Sequence, residues 1–312
     1  MKTEQQPNQP AGWSEPSEQG TPLKSGTNKP ASIGQGVDHG RRRQNCRSHW
    51  TSWVQSLCVM VALLLLVAHG LWYGAVLPVA HSFPLFGVRR VLTTEPLVAL
   101  TFDDGPQSPY TEQVLQVLDR FGVKATFFEI GQQIDREPAL ARSVVQRGHE
   151  LGNHSYSHRN LILRWPGEIA AEILETDQRL RAAGAEGPIA LRPPLGKRWF
   201  GLPYWLWRSG RTLAMWEVDS GDYDPANSVA DLVQGVLQRV RPGSIVLFHD
   251  GSFKTRQPRD RTVAALGEII PTLQARGYRL VTLGELLRSG KPSGGGPWES
   301  HPLEPGPNPA KP

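Results

Sequence analysis

Short apolar runs alternate with amphipathic stretches between about residue 95 and residue 289. Seven of the runs are rich in β-branched or aromatic residues, which is typical of strands, and they cover 97–102, 124–130, 148–153, 189–191, 212–218, 244–249 and 279–282. Apolar residues recur at helical spacing between them, and the clearest helical stretches cover 109–121, 137–147, 166–183, 227–240 and 260–276.

This alternation predicts an α/β fold in which helices cover a parallel sheet. Seven strand and helix units in one domain favour a distorted (β/α) barrel with about seven parallel strands. In such a barrel the carboxyl ends of the strands form the active face. An open doubly wound sheet is the alternative, and it fits the rhythm less well.

Polar residues follow five of the predicted strands directly. They are Asp103 and Asp104, His154 and His158, Arg192, Asp219, and His249 with Asp250. Satisfied polar residues placed at random would not collect at strand ends. The pattern therefore predicts one catalytic site at that face of the sheet.

Asp103 and Asp104 end the first strand and are followed by Gly105-Pro106. Neighbouring side chains of a strand face opposite ways, so both acids reach one site only where the extended geometry breaks down, and Gly-Pro breaks it there. Two carboxylates at a strand end suit a division of labour, with one as a metal ligand and one as a base for water. The alternative is a solvated turn that Asp104 caps.

His154 and His158 are four residues apart, so both imidazoles reach one point if the segment makes a helical turn. With Asp104 they offer two nitrogens and one oxygen, a set that suits zinc with an open position for water or substrate. Two histidines and a carboxylate also form iron oxygenase sites, but the tight His-x-Asp spacing of those sites does not occur in this sequence. The alternative is one structural and one solvent-facing histidine.

Arg192 precedes a stiff Pro-Pro turn, and Asp219 and His249 end two later strands. The guanidinium could hold Asp103 ionised, and the N–H groups of the turn could face a developing oxyanion. Because a carboxylate beside an imidazole favours the protonated ring, we expect Asp219 to keep His249 ready as a proton donor. The alternatives are a surface ion pair for the arginine and a structural role for the histidine.

Five motifs resemble those of the polysaccharide deacetylases of the NodB-homology group, carbohydrate esterase family 4. They occur in the family's order as TFDDGP (101–106), HSYSH (154–158), RPPLG (192–196), WEVDSGDY (216–223) and IVLFHD (245–250). The resemblance implies a distorted (β/α) barrel that removes N- or O-acetyl groups from sugars with a divalent metal, commonly Zn²⁺. It implies that Asp104, His154 and His158 are the metal ligands, and that the metal polarises the acetyl carbonyl and holds the water.

The same resemblance implies the catalytic roles. Asp103 is the base that activates the water, with Arg192 as its partner. His249, supported by Asp219, is the acid that protonates the departing amine. The oxyanion lies on the metal and on the backbone N–H of Leu195.

Two positions depart from the family's common pattern. Leu195 stands where a Tyr is usual, which keeps the backbone donor but changes a wall of the site. Tyr223 stands after Asp222 where a Trp is usual, which changes the packing expected behind His249. Neither departure removes a reacting group.

The N-terminal part of the chain differs from this body. Residues 1–52 are polar, with a Pro/Gly/Gln/Ser-rich segment over 1–40, and are predicted to be a disordered cytoplasmic tail. They carry +3 of the formal net charge of +5, so the remainder is only +2 and lacks the basic surface that a nucleic-acid partner needs. Both cysteines, Cys46 and Cys58, precede the body, which therefore contains no disulfide and no thiol chemistry.

Residues 53–80 are long and apolar enough to predict a membrane anchor. Four arginines lie just before the segment and two just after it, which places the N-terminus in the cytoplasm and the catalytic domain outside. A cleaved signal peptide is the alternative. Residues 81–94 are then a linker, residues 95–289 the catalytic domain, and residues 290–312 a disordered Pro/Gly-rich tail.

The sequence thus predicts a single-pass membrane protein that deacetylates a polymer containing N-acetylglucosamine, either peptidoglycan or an exported chitin-like polysaccharide. Deacylation of a lipid-linked sugar and esterase action on an O-acetylated glycan are alternatives within the enzymes. A catalytically silent glycan-binding module is the alternative from another class. No protein partner can be inferred.

Overall fold

The computed structural model describes the backbone of residues 40–71, with the side chains of residues 53–69, and most of residues 87–293. The gaps within the second range are 199–201, 203–204, 207–208 and 254–256. The predicted tail over 1–39, residues 72–86, and the C-terminal residues 294–312 lie outside the described residues.

The first described element is helix α1, Gly40–Leu71. It begins within the segment predicted to be a disordered tail, and three arginines, which are good helix formers, follow its first residue. All described side chains of residues 53–69 are exposed. Among the helices that the structure describes, none is both long and apolar enough to span a bilayer. The predicted anchor extends over residues 72–80, outside the described part, and stays a prediction.

The remaining elements alternate in the way that the hydrophobic pattern predicts. The strands are β1 (Arg90–Leu92), β2 (Leu97–Asp103), β3 (Thr126–Glu129), β4 (Glu150–Asn153), β5 (Val218–Asp219), β6 (Ile245–His249), β7 (Arg279–Val281) and β8 (Lys291–Ser293). The helices are α2 (Tyr110–Phe121), α3 (Gly131–Arg136), α4 (Pro138–Gln146), α5 (Pro166–Ala182), α6 (Val229–Leu237), α7 (Asp260–Ala275) and α8 (Leu283–Arg288).

Strands β2 to β7 form one parallel sheet in the order β4-β3-β2-β6-β5, with β7 beside the first half of β2. Single parallel bridges extend it beyond β4, from Asn153 to Leu191 and from Leu191 to Leu213. A further parallel bridge joins Val88 to Ala214. The predicted α/β fold with a parallel sheet is confirmed, and this arrangement agrees with a distorted (β/α) barrel.

Strand β2 shows how the core positions the site. All seven of its residues are buried. Val98, Leu100 and Phe102 pack with the apolar residues of α2 and α7 on one face, and burial of each such side chain stabilises the fold by about 1.5–3 kcal/mol. Because side chains alternate along a strand, Thr101 and Asp103 continue the opposite face. The strand therefore carries its last carboxylate into the interior of the domain.

Two predicted strands are shorter than expected. The segment 189–191 forms only the bridges of Leu191, and the strand predicted over 212–218 is replaced by bridges and by the two residues of β5. The carbonyl groups of Ala214 and Met215 accept hydrogen bonds from the Arg192 guanidinium, at 3.3 and 3.1 Å. These carbonyls serve a buried side chain, which limits regular strand pairing in this part of the sheet.

The domain also extends beyond its predicted limits. Val88 and Val91 are buried although the sequence predicts a linker there. Strand β1 pairs antiparallel with β8, which lies in the predicted C-terminal tail. Each strand has only three residues, which is too short for a periodic pattern to reveal.

Candidate active site

The structure brings Asp104, His154 and His158 together at the carboxyl ends of β2 and β4. All three are buried, and one potential ligand atom from each lies within 4.8 Å of the other two. The Nε2 atoms of His158 and His154 are 3.1 and 3.5 Å from Asp104 Oδ1. The prediction that these side chains meet at one point agrees with this geometry.

The bonding of these groups fits a divalent cation. Asp104 Oδ1 is buried and makes no well-aligned hydrogen bond within the described part of the chain, although both imidazole Nε2 atoms lie close to it. His154 Nδ1 is 2.8 Å from the carbonyl oxygen of Arg192, and because a carbonyl only accepts, Nδ1 carries the hydrogen and Nε2 keeps its lone pair. Two imidazole nitrogens and one carboxylate oxygen form a donor set that zinc binds well.

The protonation states favour the same conclusion. Burial raises the pKa of the Asp104 carboxyl, but His158, His249 and His154 lower it to about 2 overall. Burial lowers the pKa of His154 to about 4 against the opposing effect of Asp103. At neutral pH the carboxylate is ionised and the His154 ring is neutral, which are the forms that bind metals.

The adjacent acids reach one site by the mechanism that the sequence predicts. Asp103 is the last residue of β2, and Asp104 has φ 76. That left-handed backbone ends the alternation of the strand, so the second carboxylate turns towards the side of the first. Oδ2 of Asp103 lies 3.7 Å from Nε2 of His154, beside the histidine cluster.

The segment from His154 to His158 does not form the helical turn that would bring two histidines of this spacing to one point. It is an irregular loop in which Ser155 has φ 66 and His158 has φ 52. The Ser155 N–H donates to Asn153 Oδ1 at 2.8 Å. The N–H groups of Tyr156 and Ser157 both donate to the carboxylate of Glu172 on α5. Side-chain acceptors therefore replace the hydrogen bonds of a helix, and the two imidazole centroids still lie 4.9 Å apart.

Arg192 forms a buried ion pair with Asp103. Its Nη1 donates to Asp103 Oδ1 at 2.7 Å and to Thr101 Oγ1 at 2.9 Å. The guanidinium is fully buried, and its carbon lies 4.1 Å from the centre of the Phe128 ring. The ring contact and four hydrogen bonds, two of them to backbone carbonyl groups, fix the position of the guanidinium. The guanidinium in turn fixes Oδ1 of Asp103.

The predicted pairing of Asp219 with His249 is wrong. Asp222 is the partner of this histidine: its Oδ1 is 2.7 Å from His249 Nδ1, and its Oδ2 accepts the His249 backbone N–H at 2.8 Å. Asp219 instead accepts N–H groups of Trp216 and Gly221 at 3.2 and 2.9 Å. Strand β5 ends at Asp219, and the turn that follows carries Asp222, three residues later, to the histidine.

The ion pair sets the charge of His249. Burial alone lowers the pKa of the ring, but Asp222, and more weakly Asp104 and Asp103, raise it to about 9. Asp222 is fully ionised because His249 and Arg259 lower its pKa against the effect of burial. Thr262 Oγ1 donates to Asp222 Oδ2 at 2.8 Å. His249 is thus a protonated imidazole at neutral pH, and it lies beside Asp103 in the register of β2 and β6.

Two aromatic side chains contact the site histidines, and Leu195 lies in the turn that follows Arg192. Leu195 has φ 59 in the turn Pro194–Gly196 and is 53% exposed. Tyr223 is 50% exposed and makes an edge contact with the His249 ring, 5.7 Å between centroids. The Phe253 ring lies against that of His158 at 3.8 Å. Tyr223 therefore still packs against the histidine, and sequence reasoning missed Phe253 because its contact partner is almost one hundred residues away.

The family model and the relatives that match this chain are all described as deacetylases. The family model described as polysaccharide deacetylase matches residues 90–200. The chain is 36% identical over 204 residues to a peptidoglycan-N-acetylglucosamine deacetylase of Bacillus cereus, which covers 64% of this chain and 92% of the relative. It is 37% identical over 222 residues to a chitooligosaccharide deacetylase of Bradyrhizobium sp., covering 65% and 97%.

A solved structure agrees with the fold as well. The crystal structure of the Bc1960 peptidoglycan N-acetylglucosamine deacetylase superposes with a TM-score of 0.60 at 32% sequence identity. The match covers 65% of this chain and 94% of that one.

Proposed function

Because the chain belongs to the polysaccharide deacetylase family, carbohydrate esterase family 4, we propose that it is a metal-dependent hydrolase of N-acetyl groups on a polysaccharide containing N-acetylglucosamine. One observation carries the proposal. The buried Asp-His-His cluster lies beside Asp103, which an arginine holds. It also lies beside the strand that ends at His249, which an aspartate holds.

We assign the metal to Asp104, His154 and His158, and we propose Zn²⁺ because the set has two nitrogens and one oxygen. When bound, such a metal polarises the acetyl carbonyl and makes a bound water more acidic. The neutral His154 ring is held in the correct tautomer by the Arg192 carbonyl. Nε2 of this ring therefore carries no proton that has to leave before a metal binds.

Asp103 is the proposed general base. The Arg192 guanidinium binds Oδ1 at 2.7 Å, which fixes this oxygen and leaves Oδ2 on the side of the histidine cluster. A water activated there attacks the acetyl carbonyl, and its proton passes to Oδ2. The backbone N–H of Leu195 is the proposed donor to the oxyanion. The hydrogen bonds that close the turn are donated by the N–H groups of Gly196 and Lys197, so the turn does not use the Leu195 N–H.

His249 is the proposed general acid. Its Nδ1 is bound to Asp222, so Nε2 is the nitrogen that can donate a proton. Cleavage of the carbon–nitrogen bond leaves an amine that takes this proton, while the acetyl group departs as acetate. A protonated ring at neutral pH suits this step, whereas a neutral ring would suit a base.

The substrate assignment rests on the relatives. Those named above are deacetylases of peptidoglycan and of chitooligosaccharides, and both substrates contain N-acetylglucosamine. Leu195 and Tyr223 stand where other residues are usual in the family, and we propose that they influence which of these polymers is preferred. Deacylation of a lipid-linked sugar and hydrolysis of an O-acetyl ester use the same groups and are the competing reactions.

The test is acetate release by the purified protein from chitin oligosaccharides and from peptidoglycan, with added Zn²⁺ and with a chelator. We expect release that requires the metal, and the faster substrate identifies the polymer. If the folded protein binds one Zn²⁺ per chain but releases acetate from neither substrate, the proposed substrate class is wrong, and lipid-linked sugars are tested next. Binding of glycan without turnover of any of them would favour the silent module.

The Asp222 carboxylate should set the alkaline limit of activity. His249 must be protonated, so activity falls as the pH rises through its pKa, which Asp222 helps to raise to about 9. In Asp222→Asn we expect the alkaline limb of the kcat/KM profile to move to lower pH by about one unit or more. Asp219→Asn is the matched variant and should leave that limb in place. The assignment fails if the Asp219 variant shifts the limb and the Asp222 variant does not.

We also propose that residues 53–80 anchor the protein in the cytoplasmic membrane, with the catalytic domain outside. The support is the apolar composition of the segment and the arginines before it. Protease added to intact cells should remove the catalytic domain while leaving a cytoplasmic marker protein intact. Recovery of the full chain in the soluble cell fraction would contradict the anchor.

A further inference from the structure

Glu172 on α5 binds the loop between two of the proposed metal ligands. Its Oε2 accepts the backbone N–H groups of Tyr156 and Ser157 at 3.0 and 2.8 Å, and its Oε1 accepts the Ser157 hydroxyl at 2.7 Å. Arg159 Nε lies 2.9 Å from Oε1. Only 8% of Glu172 is exposed. One buried carboxylate thus receives three hydrogen bonds and an ion pair from a single short loop.

The loop requires such contacts to keep its shape. It has no helix or strand hydrogen bonds of its own between His154 and His158. Ser155 and His158 have left-handed backbone, which is unfavourable for residues other than glycine and persists only where the surroundings fix it. His158 itself is one of these two residues, so the backbone that carries the ligand depends on external support.

Support comes from two sides. The N–H groups of Gly131 and Gln132, at the start of α3, donate to the carbonyls of Ser155 and Tyr156 at 3.0 and 2.9 Å. Glu172 accepts the N–H groups on the other side of the same peptide segment. Helix α3 therefore binds the carbonyl groups of the loop, and Glu172 of α5 binds the N–H groups of the loop.

We infer that Glu172 is a positioning residue that fixes the relative placement of His154 and His158 and thereby the affinity of the metal site. The inference rests on the metal site of the proposed function. The side chain does not contact the ligand nitrogens, so it acts through the loop. Hydrogen bonds to an ionised carboxylate are stronger than those between neutral groups, and residues that orient metal ligands typically change metal affinity by about 10–100-fold.

Glu172→Gln keeps the size of the side chain but removes its charge. The amide oxygen can still accept the two backbone N–H groups, but only as a neutral acceptor, and the NH₂ group in the place of Oε1 cannot accept the Ser157 hydroxyl. Arg159 also loses its anionic partner. We expect the dissociation constant of Zn²⁺ to rise by about tenfold or more and the absorption spectrum of the Co²⁺-substituted protein to change.

The matched control is Glu175→Gln, which removes the same charge from an exposed position on α5. Its Zn²⁺ affinity should stay within about twofold of that of the unmodified protein. Both variants are made in the full chain. Zn²⁺ affinity is measured by competition with a chromogenic chelator, the Co²⁺ spectrum reports the ligand geometry, and thermal unfolding of the metal-free protein reports the fold.

Loss of Zn²⁺ affinity with an altered Co²⁺ spectrum in Glu172→Gln alone supports the inference. Equal Zn²⁺ affinity and identical spectra overturn it, even if the variant unfolds at a lower temperature, because its role would then be structural only. Amide hydrogen exchange tests the same contact without a variant, since rapid exchange at both Tyr156 and Ser157 in the unmodified protein overturns it too. If the unmodified protein binds no Zn²⁺, the proposed function itself fails.

Discussion

Replacement of Asp103 by Asn should lower kcat/KM for deacetylation by about 10³-fold while Zn²⁺ stays bound. The amide has the same shape and can still accept the Arg192 Nη1–H, but it cannot take a proton from water at neutral pH. General base catalysis by a placed side chain typically contributes about 10²–10⁴-fold. Because Asp103 is not one of the three proposed ligands, the metal content should not change. Acetate release and zinc content of the same preparation measure the two effects.

Loss of an ion pair could by itself damage the fold, since Arg192 is fully buried. Removing one partner of a buried pair typically costs about 3–5 kcal/mol, so thermal unfolding is measured on the same variant. Asp119→Asn is the comparison, because it removes an aspartate that pairs with Arg147 at the surface. That variant should keep full activity. An Asp103 variant with more than a tenth of normal activity would exclude this residue as the base.

The strand ends were predictable because they follow from two simple rules. Apolar runs of strand length locate the sheet, and side-chain alternation along β2 carries Thr101 and Asp103 to one face. The Gly-Pro after Asp104 then indicates where alternation stops, and the φ of 76 at Asp104 is the physical form of that signal. The five motifs lie along one edge of a parallel sheet for the same reason.

The errors arise where the chain leaves regular structure. Asp219 and Asp222 are three residues apart, and the choice between them depends on a turn whose path no periodicity describes. Tyr223 was the available signal, since an aromatic residue expected to pack against His249 brings its neighbour Asp222 with it. The spacing of His154 and His158 is compatible with a helical turn, but it gives no information on which acceptors bind the backbone N–H groups between them. Glu172, which supplies them, lies on another element.

Replacement of His154 by Ala should abolish both metal binding and activity. The ring is one of the two imidazoles beside Asp104 Oδ1, and its loss leaves one nitrogen and one carboxylate as ligands. Stabilisation of a developing charge by a metal amounts to several kcal/mol, and each 1.36 kcal/mol is a factor of ten in rate. We therefore expect kcat/KM to fall by at least about 10³-fold. A chelator should bring the unmodified protein to the same level, and added Zn²⁺ should restore that protein alone.

His149→Gln separates this effect from the general loss of a buried histidine. His149 is 5% exposed and precedes β4, whereas His154 follows it, so the two rings lie at opposite ends of one strand. Its Nδ1 accepts the Ala125 N–H at 3.2 Å, a bond that the glutamine oxygen can also accept. This variant should bind Zn²⁺ and release acetate normally. Full activity of the unmodified protein after complete removal of metal would contradict the proposed mechanism, because Asp103 and His249 would then be sufficient without the metal.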